Sequence, residues 1–228
     1  MKFFDSHVHA EKLEDTVATA KKLGFSGLCL VTNWTDEKDL ASFRQKAESF
    51  RKDLDISVGV EIKDKPQNII KIVDKVKNLA EMILVHGGDL EVNRVAVETP
   101  EIDVLLHPEL GREDSGFDHT MAKLAKKNDV AVEFGFNDLI YTYKLTRVRV
   151  LHNMINNAKL ARKFNAPFVL ASGAFNQWNL IPPSGLISFG RILGFQQPEI
   201  IMALSDFIIR KNRKRLSGKW VMPGVEVI

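Results

Sequence analysis

The first chemistry the chain offers lies at Asp5-Ser6-His7-Val8-His9, a carboxylate followed by two imidazoles at alternate positions. If this segment is a strand, residues i and i+2 leave it on the same side, so His7 and His9 present their rings together. Glu61, His86, His107 and Glu133 extend the set along the chain. Imidazole and carboxylate are ligands that divalent transition metals prefer, and a metal so held can activate water. A lone histidine at a strand end is more often a satisfied polar residue, and His86 alone would be read that way. Only the set together points to metal chemistry. Gly87-Gly88-Asp89 reads as a tight turn, with a phosphate cradle as the weaker alternative because neither Walker nor Rossmann spacing surrounds it.

Such residues need a frame that gathers distant positions. β-rich runs recur at 2–6, 27–32, 56–61, 82–86, 102–107, 130–135 and 167–172, most of them separated by segments of helical periodicity. Leu13, Val17, Ala20 and Leu23 follow helical spacing up to Gly24, a good residue for ending a helix. Further helices are expected over 36–52, 66–80 and 118–128, the last opening at Asp118 as N-cap. The gap between 82–86 and 102–107 is shorter and gives no clear helical signal. Several runs are apolar nearly throughout, as parallel strands covered on both faces must be. The expectation is one α/β barrel domain over residues 1–228, with an open doubly wound sheet as the alternative, since strand order is not legible in one sequence. Residues 220–228 are either an eighth strand or a tail. His7, His9, Glu61, His86, His107 and Glu133 then fall at the carboxyl ends of strands, where α/β folds place their function.

Charge is distributed unevenly over this frame. The 228 residues hold 32 Lys and Arg against 29 Asp and Glu, a net of +3. Residues 141–228 contain 13 bases and 3 acids (+10), leaving 19 bases and 26 acids (−7) in residues 1–140. A basic part of this size points toward a polyanion or a membrane surface. A composition of 45% hydrophobic and 27% charged residues is that of a globular protein and speaks against disorder. No stretch approaches the ~18 uninterrupted apolar residues of a membrane helix. Met1-Lys2-Phe3-Phe4-Asp5 lacks a secretory h-region, so the cytosol is expected. Cys29, the single cysteine, lies in an apolar run and reads as a small buried hydrophobe.

The segment 137–165 is read as a long helix, with Val148, Leu151, Ile155 and Ala158 on one face and Arg149, His152, Lys159 and Lys163 beside it. No acid occurs from 139 to 198. Pro182 and Pro183 precede a helix expected over 184–193, and Pro198 starts another that runs into Arg210, Lys211, Arg213, Lys214 and Arg215.

At Asp5-Ser6-His7-Val8-His9 the sequence resembles the PHP superfamily of metal-dependent phosphoesterases, whose distorted TIM-like barrel has seven strands. Gly59-Val60-Glu61, His86 and His107-Pro108 fall where that superfamily has further metal ligands. Two positions depart from its pattern. The usual Thr-Asp-His reads Thr32-Asn33-Trp34, and the usual Ser-Asp-Ala-His reads Ser172-Gly173-Ala174-Phe175. Glycine and aromatic side chains cannot coordinate a cation, so His7, His9, Glu61, His86 and His107 are expected to be relic positions, without a resident metal or a catalytic cluster.

A closer resemblance is to one PHP-derived family, ribonuclease P protein component 3 of archaea and its eukaryotic counterparts. It rests on Leu84-Val85-His86-Gly87-Gly88-Asp89, Asp103-Val104-Leu105-Leu106-His107-Pro108, Val132-Glu133-Phe134-Gly135-Phe136, Asn165-Ala166-Pro167-Phe168-Val169-Leu170-Ala171-Ser172-Gly173-Ala174 and Ile187-Ser188-Phe189-Gly190-Arg191-Ile192-Leu193-Gly194-Phe195, in that order. One loop departs, reading Trp178-Asn179-Leu180 where an Asp or Arg is common. The resemblance implies a protein subunit of the ribonucleoprotein endoribonuclease that removes the 5′ leader of precursor tRNA. Catalysis there is carried by Mg2+ on the RNA subunit, with no cofactor on this chain. The partners implied are ribonuclease P RNA, precursor tRNA indirectly, and a small ferredoxin-like protein subunit, in a heterotetramer with two copies of each. The expected RNA-binding residues are Lys144, Arg147, Arg149, Lys159, Arg162, Lys163, Arg191, Arg210, Lys211, Arg213, Lys214 and Arg215, whose charges would neutralise phosphates. The alternative is a stand-alone phosphoesterase using the strand-end histidines and Glu61. Phe175 and Trp178 are candidates for the protein interface, although core packing is the favoured account of each.

Overall fold

Alternating β-rich and helical runs fold into a sheet of seven strands in the order β1 to β7, every neighbouring pair parallel. The structure is a computed structural model that describes residues 2–218, 220–222 and 225–226. The strands are β1 Phe4–Val8, β2 Gly27–Asn33, β3 Asp55–Ile62, β4 Met82–His86, β5 Val104–Leu106, β6 Ala131–Gly135 and β7 Phe168–Ala171. Helices α1 Leu13–Leu23, α2 Glu37–Glu48, α3 Pro66–Val76, α4 Leu90–Glu98 and α5 His119–Asn128 connect the first six strands, and α6 Asn137–Ile140 with α7 Lys144–Phe164 leads into β7. Beyond β7 come α8 Pro183–Ile192 and α9 Pro198–Leu216.

The sheet curls until its edges meet. Val8 bridges Ala174, the His9 N–H donates to the Ala174 carbonyl at 2.7 Å, and the Asp5 carboxylate accepts the Ser172 N–H at 3.1 Å. The first residue of the Asp-x-His-x-His pattern is therefore a clasp between β1 and β7. This nearly closed barrel excludes the open-sheet alternative.

Local chemistry sets the ends of the helices. Asp36, Asp89 and Asp118 each accept two backbone N–H groups in the first turns of α2, α4 and α5, and Gly24 ends α1 at φ 87°. Gly87-Gly88-Asp89 is thus a turn that caps α4, a helix the pattern does not announce. The expected long helix over 137–165 is broken at Thr142 and Tyr143. Its second part, α7, buries Val150, Met154, Ala158 and Ala161, while Val148 is 63% exposed, so the buried face is rotated from the expected one.

One apolar cluster fills the space between the strands and the helices around them. A second joins Phe4, Cys29, Val31, Met82, Leu84, Val104, Leu106, Ala131 and Val169 to Ile208 and Ile209 of α9. Side chains of alternate strand residues thus pack the barrel interior, and α9 stoppers its amino-terminal end. The interior is tight: a Cβ on Gly59 would lie 2.8 Å from the Cys29 sulfur. β8 Trp220–Met222 pairs antiparallel with β9 Val225–Glu226 in a separate two-stranded sheet, so neither is an eighth barrel strand; 227 and 228 lie outside the described residues. Among the described residues no helix is long and apolar enough to cross a membrane.

Candidate functional site

The barrel carries the strand-end residues to one mouth. The rings of His9, His7, His107 and His86 follow one another with centroids 5.1, 5.5 and 5.2 Å apart. They line a cavity of about 830 Å³ together with Glu61, Asn33, Trp34, Lys63 and Phe175. All five residues expected from the sequence, His7, His9, Glu61, His86 and His107, are brought together. Each imidazole has a carboxylate. His7 Nδ1 lies 2.9 Å from Glu133, His9 Nε2 2.7 Å and His86 Nδ1 2.6 Å from the two oxygens of Glu61, and His107 Nδ1 2.7 Å from Asp138. Asp138, from α6, is a member the sequence reading missed. Its link to His107 spans 31 residues and leaves no local pattern.

The pairing shifts the protonation of His7, His107 and Glu61. Burial opposes charge on His7, yet the field and hydrogen bond of Glu133, joined by Glu61, hold its pKa well above the ordinary histidine value. His107 resists burial in the same way, through Asp138 first, and is pushed up to about 9. Burial works against the Glu61 carboxylate too, but His7 3.8 Å away and hydrogen bonds with His86 and His9 keep it ionised far below the usual range. Histidines and carboxylates thus form one hydrogen-bonded mesh across the mouth.

What cation these donors could hold follows from the atoms left over. His7 Nε2 and Glu133 Oε2 are buried without a hydrogen-bond partner among the described residues. Two donor sets, His7 with His107 and Glu133 and His7 with His9 and Glu61, each gather within 4.8 Å. Both contain His7. Each set could hold one ion, and Trp34 and Phe175, whose ring stacks 5.8 Å from His9, line the same cavity without offering a ligand atom. A neighbouring carboxyl adds strain: Glu109, buried and 1% exposed, is pushed up to about 8 by burial and then by Asp138.

A match to the family model described as RNase P subunit p30 covers residues 2–217. The chain belongs to the RNase P subunit p30 family. Members it resembles include ribonuclease P protein component 3 of Methanococcoides burtonii, 33% identical over 99% of this chain and 93% of the relative. The protein of the same name from Methanosarcina acetivorans is 30% identical over 100% of this chain and 96% of the relative. A chain in the cryo-EM structure of archaeal ribonuclease P with mature tRNA superposes with a TM-score of 0.83 and 33% identity, over 99% of this chain and 97% of that one.

In this p30-family chain, the basic residues expected to meet RNA fall into groups. Lys144 and Lys159 are exposed on α7, with no ion pair among the described residues. Also on α7, Lys163 lies 5.5 Å over the Phe164 ring, and Arg149 reaches Glu113 at 3.7 Å. Arg147 donates to the carbonyls of Thr142 and Ile140, and Arg162 to those of Ala158 and Gly194. Arg191 pairs with Glu199, Arg210 with Asp206 and Lys211 with Asp129. Lys214 is exposed on α9 and Arg215 half-buried.

Arg213 stands apart. Its Nε donates to Glu81 at 2.8 Å, its Nη1 to Asp55 at 2.7 Å and its Nη2 to the Ile56 carbonyl at 2.7 Å. All three nitrogens are engaged at the base of the barrel, a fastening role that its position in a run of cations conceals. Phe175 and Trp178 also differ from expectation, being 52% and 85% exposed where core packing was favoured.

Proposed function

We propose that this chain, a protein subunit of ribonuclease P by its family, supports the catalytic RNA of that ribonucleoprotein and does not itself cut precursor tRNA. The observation that carries the reading is the mouth, where the donors of a former metal centre are tied to one another and two of its positions are aromatic. Catalysis falls to Mg2+ on the RNA, and this chain carries no cofactor. The exposed cations of α7, Lys144, Lys159 and Lys163, and those of α9, Lys211 and Lys214, neutralise phosphates of the folded RNA and release counterions. Arg149 and Arg191, paired to exposed or half-buried acids, exchange those partners for phosphate, which a guanidinium can grip with two nitrogens. A small ferredoxin-like protein subunit joins the chain in a heterotetramer of two copies of each, and precursor tRNA meets it indirectly. The complex works in the cytoplasm.

Reconstituted precursor-tRNA cleavage tests this. Omitting the chain is expected to slow cleavage most at limiting Mg2+, and Lys144→Glu with Lys159→Glu to weaken RNA binding and flatten its salt dependence. Equal cleavage with and without the chain at every Mg2+ concentration would sink the reading.

A second reading, a stand-alone metal-dependent phosphoesterase, is favoured by the two unpartnered atoms His7 Nε2 and Glu133 Oε2. A divalent ion there would supply an activated water. Metal analysis of the purified chain decides: stoichiometric metal, with phosphatase activity lost in His9→Ala, would establish it over the first.

A further inference from the structure

The mouth is wider than its histidines require. Its cavity of about 830 Å³ is also lined by Asn33, Trp34, Phe43, Lys46 and Lys63, on the side of β2, α2 and β3. That volume falls within the roughly 300–1,000 Å³ of small-molecule sites. Asn33 ends β2, and Trp34 follows it with its backbone N–H donating to the Glu61 carbonyl at 2.8 Å. Phe43 and Lys46 stand three residues apart on α2 and share a face, and Lys63 directly follows β3. Trp34 and Phe43 pack against the core, which fixes their rings.

The chemistry of this side selects a ligand. Lys46 and Lys63 are exposed, with no ion pair among the described residues, and the Asn33 amide has no hydrogen bond among them. The acid at the centre is already engaged, since the two oxygens of Glu61 are held by His9 and His86. Two further acids line the cavity, Glu11 and Asp39, and the latter accepts from the Thr35 hydroxyl at 2.7 Å. Both can accept from hydroxyl or amino groups of a ligand. Indole and phenyl rings stack on a flat base, and an ammonium binds phosphate as a point charge. An inorganic anion would use the lysines alone and an apolar ligand the rings alone, whereas a base, a sugar and a phosphate in one molecule use the whole set. We infer that the mouth binds a nucleoside monophosphate without cleaving it, the base against Trp34 and the phosphate against Lys46 and Lys63. A free nucleotide and an unstacked nucleotide of an RNA present these same groups.

This site rests on the non-cleaving reading above. Calorimetric titration of the full chain with AMP, adenosine and inorganic phosphate, all in EDTA, tests it. AMP should bind saturably with Kd below about 1 mM, and about 10-fold more tightly than adenosine or phosphate. Trp34→Leu should weaken AMP and adenosine alike, by about 10-fold, the worth of one stacked base. Lys46→Ala with Lys63→Ala changes exposed side chains and should melt as the parent does. It should weaken AMP by about 10-fold and leave adenosine within about twofold, a split between ligands that a loss of folding cannot produce. No saturable AMP binding up to about 10 mM, or equal losses for AMP and adenosine in the lysine variant, would overturn the inference. So would binding that appears only when Mn2+ replaces EDTA, which would make the mouth a metal centre. Filter binding of ribonuclease P RNA, with AMP as competitor, separates the two sources. Displacement by AMP and weaker binding to Trp34→Leu uphold the site as one for an RNA nucleotide, and RNA binding indifferent to both, with AMP still bound, upholds it for a free one. If AMP does not bind while precursor-tRNA cleavage still depends on the chain, the nucleotide site fails alone; if the chain releases phosphate from AMP, the non-cleaving reading fails with it.

Discussion

At the amino-terminal end of the barrel the carboxylates are met by α9, whereas at the carboxyl end Glu61, Glu133 and Asp138 meet histidines. Below, Glu81 receives Arg213 and Arg51, Asp55 receives Arg213, Asp103 receives the Asn212 amide, and Asp129 receives Lys211. Above, Glu61 is shared among imidazoles, and His7 Nε2 and Glu133 Oε2 have no partner among the described residues. The lower end is fastened by ion pairs and the upper end leaves buried donors unpartnered, in keeping with the division of barrels into a stability face and a functional face. The comparison also explains part of the charge split. Acidic residues of the first 140 positions and basic residues of α9 meet across the floor of the barrel, so some of the polarity along the sequence is neutralised within the fold.

Removing Arg213 is the strongest way to break this comparison. Arg213→Ala leaves Glu81, only 3% exposed, with Arg51 and a backbone N–H alone, and is expected to cost about 2–3 kcal/mol. For a chain of this size that lowers Tm by roughly 5–10 °C. Lys159→Ala, exposed on α7, should move stability by less than about 0.5 kcal/mol. Calorimetry on both variants gives the contrast. An Arg213→Ala protein that melts like the parent but binds RNA more weakly would return Arg213 to the phosphate-binding group.

Glu109→Gln sharpens the same contrast by asking whether the upper end carries strain. The Glu109 carboxyl is held at about 8 instead of 4.5, by burial first and by Asp138 second, against the pull of His107 and Asn157. A folded state that keeps a proton which the unfolded state has released loses stability as pH rises from about 4.5 through about 8. The glutamine variant has nothing to titrate there. It should therefore be more stable than the parent at pH 8, by about 1 kcal/mol or more, and equal to it below pH 4.5. A parallel pair of Tm-against-pH curves would show that Glu109 is not a strained group.

The seven strands were legible because alternation and apolar runs are local signals, and every strand lies within two residues of its expected span. So was the gathering of His7, His9, Glu61, His86 and His107, since a parallel barrel brings all strand ends to one rim. The remainder depends on partners far away in the chain. Nothing near Arg213 distinguishes it from Lys214 until Glu81, 132 residues earlier, is placed beside it. Asp138 lies on a four-residue helix that no periodicity could reveal. Val148 has the composition of a core residue and faces solvent, because α7 starts seven residues later than a continuous helix from 137 would and presents another face. Trp178 misleads for the same reason: residue type reports the tendency to be covered, not by what.

The smallest expected effect bears most directly on what the mouth does. The ring of His86, with a side chain 22% exposed, contributes one bond to Glu61, which keeps His9 at 2.7 Å and has His7 at 3.8 Å. His86→Ala should therefore cost about 1 kcal/mol or less, the worth of one replaceable hydrogen bond near solvent. In reconstituted ribonuclease P it should leave precursor-tRNA cleavage within about threefold of the parent. Were the mouth a working metal centre, loss of an imidazole at its rim would cost 10-fold or more, as disturbing even the outer partners of a metal typically costs about 10–100-fold. Stability and cleavage rate measured on the one variant thus separate a mesh of ion pairs that inherited its geometry from a centre that still uses it.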